Sequence, residues 1–250
     1  MAQQLTARRK SGGLTENVKT IFYAGLIAIG IRTVAYEPFN IPSGSMIPTL
    51  QVGDYLFVSK YSYGYSHFSL PLSPPLFSGR VFGQLPQRGD VAVFKFPRDT
   101  SQDYIKRIIG LPGDRIQMKA GQLYINGVKV QRKPEDVEYI DDCRTPMMVK
   151  RFGEVLPNGS EHDIVKATDD GPLDDTPEYK VPEGHVFAMG DNRNNSSDSR
   201  VMDGVGFVPV ENLVGRAEFV FLSISCNASL WEIWEWPFDI RWSRLFTAIH

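Results

Sequence analysis

Leu123-Tyr124-Ile125-Asn126-Gly127-Val128-Lys129-Val130, residues 123–130, is hard to read as anything but β structure. Two short apolar runs flank an Asn-Gly pair, and these residues tolerate the positive backbone angles of a two-residue hairpin turn. On either side, runs rich in β-branched and aromatic residues recur at 55–59, 91–96, 104–109, 115–119, 185–189 and 217–223, each bounded by turn residues. Beyond residue 40 no long stretch carries helical periodicity. With 22 glycines and 17 prolines among 250 residues, the chain reads as mainly β, a barrel or sandwich large enough for one large or two small domains.

The amino-terminal end differs. Arg8, Arg9 and Lys10 precede an apolar run over 21–31, shorter than the roughly 20 residues that cross a bilayer. Extending it to 18–36 gives the length and takes in Lys19 and Arg32 near the ends, where long side chains can reach the headgroups. Pro38 is expected to stop the helix. This layout predicts a cytoplasmic basic segment over 1–17 and a transmembrane anchor over 18–37, with the rest of the chain outside. A cleavable signal peptide has the same layout, but Thr33-Val34-Ala35 is a poor cleavage site. A merely buried helix is the third reading.

The net charge of −2 gives no nucleic-acid signature, yet residues 131–184 hold 14 acidic against 7 basic residues, which leaves the remainder at +5. An acidic insert on a basic body that suits an anionic membrane is one reading, and two ordinary solvated faces are the other. Cys143 and Cys226 lack metal-ligand spacing and read equally as one disulfide or two thiols. His67, His162, His185 and His250 are too scattered for a metal site. Residues 61–87, with Arg80 as their only formal charge, form either a loop on the membrane or one folded over the core. Trp231, Trp234, Trp236 and Trp242 give 229–250 the character of an interfacial anchor or a packed end.

Three segments carry chemistry. Ile41-Pro42-Ser43-Gly44-Ser45-Met46-Ile47-Pro48-Thr49-Leu50 sets a serine on a stiff bend, where a hydroxyl and a fixed backbone N–H are what an oxyanion needs. Taken alone it is a plain turn. In Asp103-Tyr104-Ile105-Lys106-Arg107-Ile108-Ile109-Gly110-Leu111-Pro112-Gly113-Asp114, strand alternation puts Lys106 on the face of Tyr104 and Ile108 and turns Arg107 away. A lysine is a base only when neutral, and apolar neighbours lower its pKa from about 10.4. Arginine stays protonated and cannot substitute. Met189-Gly190-Asp191-Asn192-Arg193-Asn194-Asn195-Ser196-Ser197-Asp198-Ser199-Arg200 is a polar loop after an apolar strand, either suited to presenting hydroxyls and amides to a site or an Asx-rich surface turn. Its Asp spacing does not match a calcium loop. His185 lies close to this loop but at the start of a strand, and no histidine is needed as base.

These segments, in this order and together with Arg88-Gly89-Asp90-Val91-Ala92-Val93-Phe94-Lys95, resemble the sequence boxes of bacterial type I signal peptidases. The resemblance covers about 38–119 and 184–222. It implies an antiparallel β-sheet catalytic domain over 38–119 and 184–228, with a second, smaller β-rich domain inserted at 120–183. It implies cleavage of exported preproteins after small-x-small motifs, at the outer face of the bacterial inner membrane. The partners would be these preproteins and the lipid bilayer, close to the export translocon, with no cofactor, metal or nucleic acid. By the same resemblance Ser45 is the nucleophile and Lys106 the general base. Ser43 and the Ser45 N–H receive the oxyanion, and Ser196 hydrogen-bonds the Lys106 amine. Asp198 and Arg200 brace the site near Arg107, while Asp191 and Arg193 order the loop. The substrate positions are Phe39, Ile41, Pro42, Met46, Leu50, Val93, Tyr104 and Ile105, and Asp103 and Ile105 lie on the strand beside which an extended substrate adds.

Asn194 stands where the family often has Asp, and 114–184 aligns with no family motif by eye. Two other readings fit the same architecture. One is an anchored β-domain that binds a partner without chemistry, from which one of Ser45 and Lys106 would be expected to be lost. The other is an autoproteolytic Ser-Lys regulator of related fold, against which the anchor and the absence of a DNA-binding segment both speak.

Overall fold

The computed structural model describes residues 14–70, 72–140, 143, 146–226 and 236–250. Helix α1 (Leu14–Val34) is followed by β1 (Tyr36–Asn40), β2 (Asp54–Ser59), β3 (Val91–Phe96), β4 (Asp99–Gly110), β5 (Arg115–Lys119), β6 (Gln122–Ile125) and β7 (Val128–Lys129). Then come β8 (Gln131–Ile140), β9 (Met147–Val155), β10 (Glu161–Lys166), β11 (Tyr179–Lys180), β12 (His185–Met189), β13 (Val208–Pro209), β14 (Leu213–Ser223) and the short helix α2 (Trp236–Asp239). All the strand pairs are antiparallel.

Seven strands form the main sheet in the order β1-β2-β14-β3-β4-β12-β13; a second sheet runs β11-β5-β6-β7, and a third β10-β9-β8. The Asn126-Gly127 turn is as expected: both residues have positive φ, 54° and 78°, and Ile125 faces Val128 across the hairpin. Alternation along the strands sorts the side chains into packed layers. Ile41, Met46, Leu50, Leu56, Val58, Val93 and Val220 fill one layer beneath the Ser45 turn. Ile109, Ile116, Leu123, Leu156 and Phe187 fill another, which joins the main and four-stranded sheets.

Several expectations need adjustment. Helix α1 ends at Val34, and Tyr36 and Glu37 already pair with Ser59 and Val58, so Pro38 sits inside β1 rather than ending the helix. β1 is an edge strand, where a residue without N–H costs little. The 119/120 boundary cuts through the β5–β6 hairpin, because β5 belongs to the four-stranded sheet. No helix among the described residues is long and apolar enough to cross a membrane.

Loop 61–87 is tied to the main sheet. The Arg80 guanidinium donates to the carbonyls of Tyr63, Gly64, Val210, Glu211 and Leu213. Its Leu72, Leu76 and Phe82 nonetheless remain exposed. Cys143 and Cys226 are disulfide-bonded, with Cα atoms 5.6 Å apart, and so tie the β8–β9 connection to the end of β14. Residues 246–249 return along β14 through Phe246 N–H to Val220 O and Ile249 N–H to Glu218 O. Trp242 is exposed. Arg8, Arg9, Lys10, Trp231, Trp234 and the side chain of Trp236 lie outside the described residues.

Candidate active site

Ser45 occupies a single 3-10 turn, Gly44–Met46. The turn is held from several directions. Ile41 is hydrogen-bonded in both directions to the β2 entrance, Leu50 N–H donates to Met46 O, and the Met46 side chain is sealed in the core. The loop after β12 then docks on it: Asn192 donates its N–H to Ser45 O and its Nδ2 to Gly44 O, both at 3.1 Å. Gly190 comes so close that a Cβ there would lie 2.6 Å from the Ser45 carbonyl oxygen and 2.2 Å from Ser196 Oγ. No side chain fits at that position.

Lys106 projects from β4 toward this turn. Its Nζ is 2.7 Å from Ser45 Oγ and 2.8 Å from Ile105 O, and the side chain is 4% exposed. The Tyr104 ring centroid lies 5.5 Å from the amine, and that ring stacks on Phe96 at 4.8 Å. Loss of hydration lowers the Lys106 pKa to about 8, with Asp198 and Asp191 acting in the opposite direction. A measurable fraction of neutral amine is therefore present at pH 7, which an exposed lysine would lack.

Arg107, on the opposite face of β4, is completely buried. It forms a two-pronged pair with Asp191, 2.8 Å on each prong, and donates to the carbonyls of Gly89 and His250 and to Thr49 Oγ1. Thr49 in turn donates to Asp191 Oδ2 at 2.6 Å. Arg200 pairs in the same way with Asp198, whose Oδ2 accepts the Gly190 N–H at 3.0 Å. Burial raises the pKa of each aspartate, but the facing guanidinium overcomes it, and both carboxyls stay below the usual range. Arg193 pairs with Glu154 of β9, so the three-stranded sheet also grips the loop.

Ser45, Ser43, Pro42, Asp103, Tyr104, Ile105 and Lys106 line one groove of about 390 Å³, together with Asn195 and Ser197. Ile41, Met46, Leu50 and Val93 are buried in the apolar layer beneath it and back the groove rather than line it. Phe39 faces an adjoining cleft of about 410 Å³ beside α1, which shares Asp103 with the first. Ser196 departs from expectation. Its buried hydroxyl makes no hydrogen bond to Lys106; it lies close enough to Asp198 to help lower that carboxyl's pKa, while Ser45 Oγ and Ile105 O hold the amine. His185 Nδ1 contacts Glu183 O. Asn194 Oδ1 accepts the Ala167 and Thr168 N–H groups, which needs an acceptor but no charge.

Sequence reasoning missed Asn192, Thr49 and Glu154. Asn192 and Thr49 had a signal, since they sit inside the polar loop and the Ser45 segment; Glu154 had none, because only tertiary contact gives it its partner.

The family model described as "Signal peptidase, peptidase S26" matches residues 14–222. The chain is 44% identical over 241 residues to a "Signal peptidase I" of Rickettsia conorii, covering 90% of this chain and 89% of that protein. It is 41% identical over 241 residues to a "Signal peptidase I" of Rickettsia typhi, with the same coverage of 90% and 89%. A solved signal peptidase I from Enterococcus faecalis V583 is 29% identical, covers 53% of this chain and 97% of its own, and superposes with a TM-score of 0.33.

Proposed function

The chain belongs to the signal peptidase family, peptidase S26, as a serine endopeptidase, and from there we propose that it removes signal peptides from exported preproteins through a Ser45–Lys106 dyad. The observation that carries this reading is the 2.7 Å approach of a dry lysine amine to a serine hydroxyl on a pinned turn. Neutral Lys106 takes the proton from Ser45 Oγ as the oxygen attacks the scissile carbonyl. The tetrahedral oxyanion is received by the Ser45 N–H and the Ser43 hydroxyl. Lys106 then returns its proton to the leaving amine, and water regenerates the serine by the same route. Asp191 and Asp198, each held ionised by its arginine, keep the lysine pKa from falling so far that the amine becomes a poor proton acceptor.

An extended substrate lies along Asp103–Ile105, its upstream residues running toward the cleft beside α1. The apolar side chains packed under the turn back the groove, which suits the small residues of small-x-small cleavage sites. Activity is expected to rise with pH through about 8, because only the deprotonated lysine acts. A flat profile for preprotein cleavage between pH 6 and 9, under conditions where chemistry limits the rate, would sink the dyad.

Membrane anchoring belongs to the same reading. At 21 residues α1 is about 31 Å long at 1.5 Å per residue, and Ile21, Phe22, Ile27 and Ile29 are all exposed on it. Lys19 and Arg32 temper its hydropathy, but both lie near its ends, and Arg32 is paired with Glu37 at 2.7 Å. The full-length protein should stay in the pellet after carbonate washing of membranes; recovery in the supernatant would reject an anchor.

A further inference from the structure

We propose that Glu154, carried by the three-stranded sheet and not by any of the motif segments, is a positioning residue that sets the loop opposite Lys106. The inference rests on the dyad reading and goes beyond it, because it makes a motif-free part of the chain a component of catalysis.

The connection can be followed atom by atom. Glu154 is completely buried on β9 and takes both Arg193 prongs, Nη1 at 2.9 Å and Nη2 on the other oxygen. Arg193 is fixed at its backbone as well: its N–H donates to Val165 O of β10 at 3.0 Å, and its carbonyl accepts Arg200 Nη2 at 2.8 Å. Arg200 holds Asp198, and Asp198 holds the Gly190 N–H against the Ser45 turn. Four residues therefore lead from the sheet to the nucleophile, hydrogen-bonded in succession as far as Gly190, which packs closely against the Ser45 carbonyl.

Charge makes the link consequential. The groups that face Glu154 are Arg193 from the loop, His162 from β10 with Nε2 at 3.6 Å, and Arg132 from β8. Burial lowers the His162 pKa to about 4, with Arg107 contributing, so the imidazole is neutral at working pH and cannot exchange roles with Arg193. Glu154 is thus the carboxylate that satisfies Arg193. Without it, a buried guanidinium would lie unpaired within the loop that carries Asp191 and Asp198, the two anions whose fields reach Lys106. Any sharing of those carboxylates with Arg193 weakens what keeps the lysine pKa from falling further.

The test uses the full chain in detergent with a preprotein substrate, reading kcat, KM and the acid limb of kcat/KM. Glu154→Gln should lower kcat about tenfold with KM little changed. It should also move the acid limb to lower pH by roughly 0.5–1 unit. Glu154→Asp keeps the charge and should recover most of the rate. Pairing Glu154→Gln with Arg193→Met removes both charges and should return the limb toward its original position. A merely structural role would lower activity and leave the limb in place, and that outcome overturns the proposal. So does failure of all three variants to fold, judged by circular dichroism and melting, since the pair would then serve the fold alone. A wild-type profile with no acid limb would instead remove the dyad reading beneath it.

Discussion

Lys106→Met is expected to lower kcat/KM for preprotein cleavage by about 10⁴-fold or more, some 5 kcal/mol of transition-state stabilisation, and to raise the melting temperature at pH 7. The two effects share one cause. Burial lowers the lysine pKa to about 8 in the folded enzyme, while the unfolded chain holds the proton to about 10.4. Between those values the unfolded state binds more protons, so stability increases as pH rises through that window, and the cost of the dry ammonium is greatest below pH 8. The gap is worth roughly 3 kcal/mol at 1.4 kcal/mol per pH unit, partly offset by loss of the contacts to Ser45 and Ile105. Methionine fills a similar volume without a charge, so its advantage should shrink between about pH 8 and 10.4. Lys106→Arg is the informative control: it should be equally inactive but less stable, because a guanidinium cannot shed its proton. Cleavage by Lys106→Met within tenfold of the unaltered enzyme would reject Lys106 as the base.

How much of this could be read from the chain depends on whether an element's pattern is local. Val91–Phe96, Arg115–Lys119 and His185–Met189 have the predicted bounds, because each packs at least one face against a core and shows it as apolar or alternating residues. The β8–β10 sheet was not legible. Glu135, Asp136 and Glu138 put charge on both faces of β8, an exposed edge strand, and Pro134 interrupts it at a register shift. Ser45 and Lys106 could be named because their neighbours in sequence carry the chemistry that each requires. Which group orients the lysine could not. It depends on how segments some 145 residues apart settle together: Ser45 Oγ and Ile105 O hold the amine in place of the expected Ser196, and Asn192 docks the 190–200 loop on the Ser45 backbone.

Asp191→Asn should produce the largest loss of stability of any single conservative change in the site, about 3–5 kcal/mol. Arg107 has no access to solvent, and Asp191 is the only charged side chain among its described hydrogen-bond partners, the others being Gly89 O, His250 O and Thr49 Oγ1. An amide retains one acceptor and turns a donor toward the guanidinium, leaving a buried cation without its pair. The folded pKa of Asp191 lies below its unfolded value of about 3.9, so its contribution is complete above that value and is lost as pH falls through the folded one. The destabilisation should therefore be full at pH 7 and smaller in acid. Loss of the anion also removes one of the two fields that raise the Lys106 pKa, so whatever activity survives should begin at lower pH. Combining Asp191→Asn with Arg107→Met deletes the unpaired charge along with its missing partner, and urea melts of the double variant should recover at least half of the lost stability. If the double variant is no more stable than Asp191→Asn alone, the cost came from disturbed packing of the loop, and the buried pair is not what ties the loop to the catalytic strand.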